Sequence, residues 1–203
     1  MGVRGIARAA LIGTAALTLG SLPAAAQDVQ FSTTGAFSGG GCTATSCAFG
    51  NFTLTFQPVG STGFLNGSLV DLGSFFASCS GTSCAQTTFP AGVTFTLTIN
   101  QTIPSGGTGN FAGTISGSLA FNPTLSALIW TPTTNTLQVG SPAANYSLVV
   151  DNTGNFNIEG PSSTNPNETV VKAFVTATPE PSTVALMATG MFGLIPVIRR
   201  RRK

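Results

Sequence analysis

The chain has 203 residues, only 7% of them charged, with 25 glycines, 15 phenylalanines, four cysteines and no histidine. Without histidine it has no Ser-His-Asp relay, no Cys-His relay and no His-ligated metal. Arg4 and Arg8 stand near one end and Arg199 to Lys203 at the other, so residues 27–178 keep Lys172 against Asp28, Asp71, Asp151, Glu159 and Glu168; one lysine against five carboxylates is a net charge of −4, which leaves no basic surface for nucleic acid.

Residues 1–26 read as a secretory signal peptide. Arg4 and Arg8 form its basic region, Ala9 to Leu19 its apolar core, and Ala24-Ala25-Ala26 the small residues before a cut between Ala26 and Gln27. The exported segment of about 150 residues is enough for one domain that buries roughly two-thirds of its unfolded surface. Within it apolar residues recur at period two, the signal of half-buried strands. In 51–57, Phe52, Leu54 and Phe56 face one way and Thr53 and Thr55 the other. Residues 93–100 repeat this with Val93, Phe95, Leu97 and Ile99. In 111–122 the inward set is Phe111, Ile115, Leu119 and Phe121, with Gly113 and Gly117 between them, glycines of the kind that mark bulges or close backbone approach. Further strands are expected over 29–37, 64–76, 125–130, 136–139, 146–150, 156–159 and 169–176. Asp151-Asn-Thr-Gly-Asn155 reads as a tight hairpin loop with Gly154 at positive φ. No segment before residue 179 has helical periodicity. The expectation is an all-β domain over 27–178, an antiparallel β-sandwich of jelly-roll or immunoglobulin-like type.

Cys42-Thr-Ala-Thr-Ser-Cys47-Ala and Cys79-Ser-Gly-Thr-Ser-Cys84-Ala share a pattern, and each precedes a Phe-Thr-Leu-Thr strand, a weak sign of internal duplication. In an oxidising compartment four cysteines imply disulfides, and this spacing lets each pair close across the neck of a hairpin loop. Three pairings exist; the local one, Cys42–Cys47 with Cys79–Cys84, is expected. A tetrathiolate zinc site is the rival, disfavoured because zinc prefers shorter spacings and reduced thiols.

Little else carries chemistry, and no cofactor or metal is expected. Asp71, Asp151 and Glu159 are the candidates for a glycosidase pair, but no sequence feature brings two of them together. The 151–155 segment lacks the ligand spacing and terminal Glu of a calcium loop, and Gly39-Gly40-Gly41 and Ser105-Gly106-Gly107 lack the context of a phosphate loop. Lys172 shares a strand face with Val170 and Phe174; turned inward it could form an isopeptide with an Asn side chain, whereas a snorkelling or edge-guarding lysine is the ordinary reading. Asn51, Asn66, Asn100, Asn145 and Asn167 each open an N-x-[ST] triplet.

The last stretch, 179–203, is built differently. Pro179-Glu180-Pro181 bars helix and regular strand alike, Thr183 to Ile198 is uncharged and apolar, and Arg199, Arg200, Arg201, Arg202 and Lys203 follow without interruption. A helix over 183–198 reaches roughly 24 Å against a hydrocarbon core of about 30 Å, a short span. Its cationic end belongs on the cytoplasmic side, which places the rest of the chain outside. Together these parts resemble the PEP-CTERM sorting signal of Gram-negative bacteria. The resemblance implies recognition by exosortase, a membrane-embedded Cys protease, with Pro179, Glu180 and Pro181 as recognition motif and the Arg cluster as stop signal. It also implies a precursor anchored in the inner membrane with its N-terminal domain outside, a mature form at the cell surface or in the extracellular matrix, and association with exopolysaccharide in a biofilm.

Three functional classes follow. The first is a non-enzymatic surface or matrix protein sorted by exosortase. The second is a glycan-binding β-sandwich, which would need Trp130 or Tyr146 exposed, the chain having one of each. The third is a hydrolase, which needs two of the acids to converge in a cleft.

Overall fold

A computed structural model of the protein describes residues 28–81, 84–121, 126–162 and 167–177. The expected signal peptide and its Ala26/Gln27 junction, the 179–181 motif, the 183–198 helix and the 199–203 cluster lie outside the described residues. The described residues form thirteen strands: β1 (Val29–Ser38), β2 (Ser46–Phe49), β3 (Phe52–Pro58), β4 (Thr62–Phe64), β5 (Ser68–Cys79), β6 (Thr87–Thr88), β7 (Thr94–Ile103), β8 (Gly107–Leu119), β9 (Ala127–Pro132), β10 (Thr136–Val139), β11 (Ala144–Leu148), β12 (Phe156–Ile158) and β13 (Asn167–Ala177). Among the described residues there is no helix.

The strands make two antiparallel sheets. One is seven-stranded in the order β12-β9-β8-β7-β1-β4, with β6 paired to β8; the other is six-stranded in the order β10-β11-β13-β5-β3-β2. Their inward faces share one apolar core. It is aromatic at its centre, where Phe95 of the first sheet lies 4.7 Å from Phe75 and 4.9 Å from Phe56 of the second, ring centre to ring centre. Such tilted and edge-on pairs add to the burial of large rings. The period-two pattern is what makes this possible: Phe52, Leu54 and Phe56 of β3, Phe95, Leu97, Ile99 and Gln101 of β7, and Val171, Ala173, Val175 and Ala177 of β13 are buried in alternation, so each sheet turns a mainly apolar face inward.

Where the sequence reads one strand over 64–76, the structure has a break. Leu65 to Gly67 turn the chain, with Gly67 at φ +82°, and Phe64 belongs to β4 of the seven-stranded sheet while Ser68 opens β5 of the other. β2 and β6, four and two residues long, are too short to show a period and were not expected. β8 begins at Gly107 and ends at Leu119, earlier at both ends than its apolar residues suggest, because Gly107 to Asn110 pair with β7 without apolar side chains, the Thr108 hydroxyl donating to Asn100 Oδ1 at 3.4 Å beside the backbone ladder. At Gly117 the expected irregularity is present: φ is +112°, and a Cβ would lie 1.9 Å from the Ala127 carbonyl oxygen.

The turn at Asp151 forms, with Gly154 at φ +80°, but it is not a hairpin. β11 pairs with β10 and β13, and β12 with β9, so the turn carries the chain from one sheet to the other. A local turn signal fixes the reversal of the backbone and leaves open which neighbour the next strand finds.

Candidate functional site

The two ends of the molecule differ in chemistry, and the difference follows from where β13 stops. β13 lies between β11 and β5, with Val171, Ala173, Val175 and Ala177 buried and Glu168, Lys172, Phe174 and Thr176 facing out. At its last residue the side chain of Asn66 stands in for a neighbouring strand. Asn66 Nδ2 donates to the Ala177 carbonyl at 3.0 Å and Asn66 Oδ1 accepts the Ala177 N–H at 2.8 Å. The Gly67 N–H donates to the Val175 carbonyl at 2.8 Å. An amide side chain offers the same donor and acceptor as a peptide unit, so the strand is held closed to its final residue. Pro179-Glu180-Pro181 begins two residues further on.

β1 begins at this same end, with Val29 opposite Phe64. Here also the β7–β8 hairpin meets the β10–β11 turn through a buried polar chain. The Tyr146 hydroxyl donates to Gln101 Oε1 at 2.9 Å, and Gln101 Nε2 donates to the Val139 and Ser105 carbonyls at 3.2 and 3.0 Å. Ser105 Oγ donates to the Pro142 carbonyl at 3.0 Å and accepts the Ser141 N–H at 2.7 Å. Burial pushes the Tyr146 hydroxyl above its usual range, so it stays a donor. The network ties the two sheets together beside the exit of the chain.

The opposite end is stapled. Cys42–Cys47 and Cys79–Cys84 are disulfides, with Cα atoms 4.2 and 6.2 Å apart. They sit close together, since Cys47 pairs with Leu54 and Cys79 with Phe52 on β3. Neither joins two strands that pair with each other, though Cys42–Cys47 brackets a tight turn in which the Thr43 N–H donates to the Ser46 carbonyl at 2.8 Å. Each binds a connection that crosses between sheets, β1 to β2 and β5 to β6, where no ladder of backbone hydrogen bonds joins the flanking strands.

The remaining candidates disperse. Asp71 lies on the outer face of β5 opposite Lys172, whose Nζ is 3.9 Å away with both side chains about half exposed. Lys172 therefore faces solvent in the interior of a sheet, neither inward nor on an edge, because Val171 and Ala173 occupy the core positions. Asp151 caps its own turn, accepting from the Thr153 hydroxyl at 2.6 Å and from the Thr153 and Asn155 N–H groups at 2.8 and 2.9 Å. The Thr153 hydroxyl, followed by the Asn155 N–H, lowers the pKa of this exposed carboxyl. Glu168 accepts from Ser74 Oγ at 2.6 Å, and the Glu159 N–H donates to Thr169 Oγ1 at 3.0 Å. Among the described residues no three acids or cysteines gather as metal ligands would. Trp130 and Tyr146 are fully buried, Trp130 among Phe75, Phe95 and Phe156, so neither ring is presented to a sugar.

Two residues of this arrangement escaped the sequence reading of sites. In the sequence Asn66 stands out as the start of an N-x-[ST] triplet; the Asn66-Gly67 pair ahead of a strand signals its turn, and nothing local points to Ala177. Gln101 continues the inward series Val93, Phe95, Leu97, Ile99, and a polar residue at an inward position was the mark of a buried network. Asn167 is likewise engaged, donating to the Gly160 carbonyl and accepting from Ser162 Oγ.

No curated protein and no solved structure matches the chain. A family model does: the PEP-CTERM protein-sorting motif matches residues 177–203, and its first residue is the Ala177 that Asn66 holds. That motif implies an exported protein targeted to exosortase. The chain thus carries a PEP-CTERM sorting motif, joined without a spacer to the last strand of an all-β domain.

Proposed function

We propose that the protein is a non-enzymatic component of the cell surface or extracellular matrix. It is made with a signal peptide over 1–26, held in the inner membrane by residues 183–198 with the 199–203 cluster inside, and released or re-anchored by exosortase acting near Pro179-Glu180-Pro181. The observation that carries the reading is the position of the matched motif. It starts at the clamped end of β13, so in sequence the recognised tripeptide follows directly on a finished fold. The experiment is the intact mass and cell fraction of the mature protein, compared with a Pro179→Ala, Pro181→Ala double variant. Wild type should be extracellular and lack the masses of residues 1–26 and of the basic tail, while the variant stays membrane-bound and larger. If both keep the tail in the inner membrane, residues 179–203 are an anchor and nothing more.

One surface favours polysaccharide as the material it joins. The seven strands of β12-β9-β8-β7-β1-β4 and β6 contain no charged residue. Rows such as Thr34, Thr98 and Asn110 run across the outer face of β1, β7 and β8. Hydroxyl and amide groups on such a face exchange hydrogen bonds with sugar hydroxyls at small net gain per bond, which suits a broad and weak contact with a neutral polymer. The alternative, a glycan-binding module with an aromatic platform, has lost Trp130 and Tyr146 to the core.

A further inference from the structure

Exposed apolar side chains are not spread evenly over the domain. Among the described residues the large ones are Leu65 (61% exposed), Phe174 (53%), Leu69 (47%), Val149 (42%) and Ile103 (41%). Four of the five belong to the end from which the tail leaves. Leu65 precedes Asn66 in the clamping turn. Ile103 closes β7 opposite Gln30, next to the start of β1. Phe174 stands three residues before Ala177, with Leu69 directly across the sheet, about 10 Å from the strand end. The only charged residue beside the described turns of this end is Asp28. Single apolar side chains on a surface need no explanation, but a group gathered at one end does.

We propose that this end is a membrane-apposed face, and that Leu65 and Ile103 rest in the headgroup layer of the bilayer that the tail enters. The inference rests on the anchored-precursor reading and deepens it. Ala177 is fixed by two hydrogen bonds to Asn66, so the tether begins at a rigid point. Between Ala177 and the apolar run stand the five residues 178–182, which reach at most about 18 Å. A headgroup layer takes up roughly 5–8 Å of that, leaving the end of the domain within about 10–13 Å of the headgroup surface. β1 starts at the same end, so a signal peptide still attached would also leave toward the membrane. The face bears no cationic group among the described residues, so its contact with lipid is apolar rather than electrostatic. The disulfide-stapled end then points away from the membrane. Release of the tail frees the domain, because two exposed side chains without basic neighbours hold a membrane only weakly.

The test uses the full-length precursor in vesicles of phosphatidylethanolamine and phosphatidylglycerol, with spin labels on the acyl chains as quenchers. A polarity-sensitive fluorophore is placed in separate variants at Leu65→Cys, Ile103→Cys, Asn152→Cys in the opposite turn, and Ala185→Cys in the apolar run. Melting temperatures equal to wild type and the absence of other reactive thiols establish that each variant is folded with both disulfides closed. Positions 65 and 103 are expected to be quenched at least about threefold more than position 152, as befits side chains about 5–10 Å into the interface. If position 185 is quenched and positions 65 and 103 behave like 152, the anchor stands and the apposed face is refuted. If position 185 is also unquenched, the anchored reading fails and takes this inference with it. Shielding of position 65 that rises with protein-to-lipid ratio, without lipid quenching, would mean that a second copy covers the face, and overturns the proposal equally.

Discussion

Gln101 and Tyr146 show how a single polar position constrains the core. Both side chains are buried, 45 residues apart in sequence, and joined at 2.9 Å. A buried acceptor without its donor costs the full desolvation of that group. Tyr146→Phe should therefore destabilise the domain by about 1–3 kcal/mol, read as a shift of the urea midpoint at unchanged slope. Pairing it with Gln101→Leu should cost less than the sum of the two single changes, since both ends of the bond are then removed; strict additivity would show that the bond carries no coupling. The inward place of Gln101 was legible from the alternation of β7, and its partner was not, because nothing local relates residue 101 to residue 146. Phenylalanine misleads in the other direction. Phe31, Phe52, Phe75, Phe95 and Phe111 are fully buried as their number suggested, yet Phe174 is 53% exposed, placed outward by the register of β13.

At the scale of the element, β5 shows what composition hides. Gly73 sits at φ +130° where the pairing with β13 slips between Val171 and Lys172. A Cβ there would lie 2.3 Å from Phe56 Cζ and 2.7 Å from the Gln57 carbonyl oxygen. The bulge sets the outward faces of β5 and β13 into the register that puts Asp71 opposite Lys172 and Leu69 opposite Phe174. Gly73→Ala should cost about 2–3 kcal/mol, from the backbone conformation and the clash together. Gly60→Ala, with nothing within 4 Å of the new methyl group, should stay within about 0.5 kcal/mol of wild type. Equal effects in a thermal melt would remove the structural role assigned to the bulge. A strand pattern that reads smoothly through 64–76 passes over the Asn66-Gly67 turn signal, and it cannot reveal the slip at all, since that is settled by what the neighbouring strand offers.

For the molecule as a whole, charge is partitioned by sheet. Asp71, Glu168 and Lys172 all lie in β5 and β13, and the seven-stranded sheet has no charged residue. Contact with a neutral polysaccharide through that sheet should then depend little on ionic strength, because there are no interfacial charges to screen. Co-sedimentation of the mature protein with a neutral glucan is expected to change less than about twofold between 0.05 and 0.5 M salt. Introducing Thr96→Lys with Thr98→Lys on the outer face should make it salt-dependent or abolish it. Binding that wild type loses steeply with salt would move the contact to the acidic sheet or to another partner class.

The order of parts along the chain was determined by sequence alone: a signal-peptide pattern, an uncharged strand-rich middle, the cysteine pairs, and a Pro-Glu-Pro tail with an apolar run and a basic end. These are short-range features, set by residue type, period and spacing, and the match at 177–203 rests on them. Only the tertiary structure decided that Asn66, 111 residues away, closes the strand on which that tail is mounted. It also decided that Trp130 is core, that Lys172 faces solvent, and that the two disulfides share the far end. Those outcomes depend on which strands meet across the sheets, and pairing is fixed by the burial of the whole apolar face rather than by any one segment.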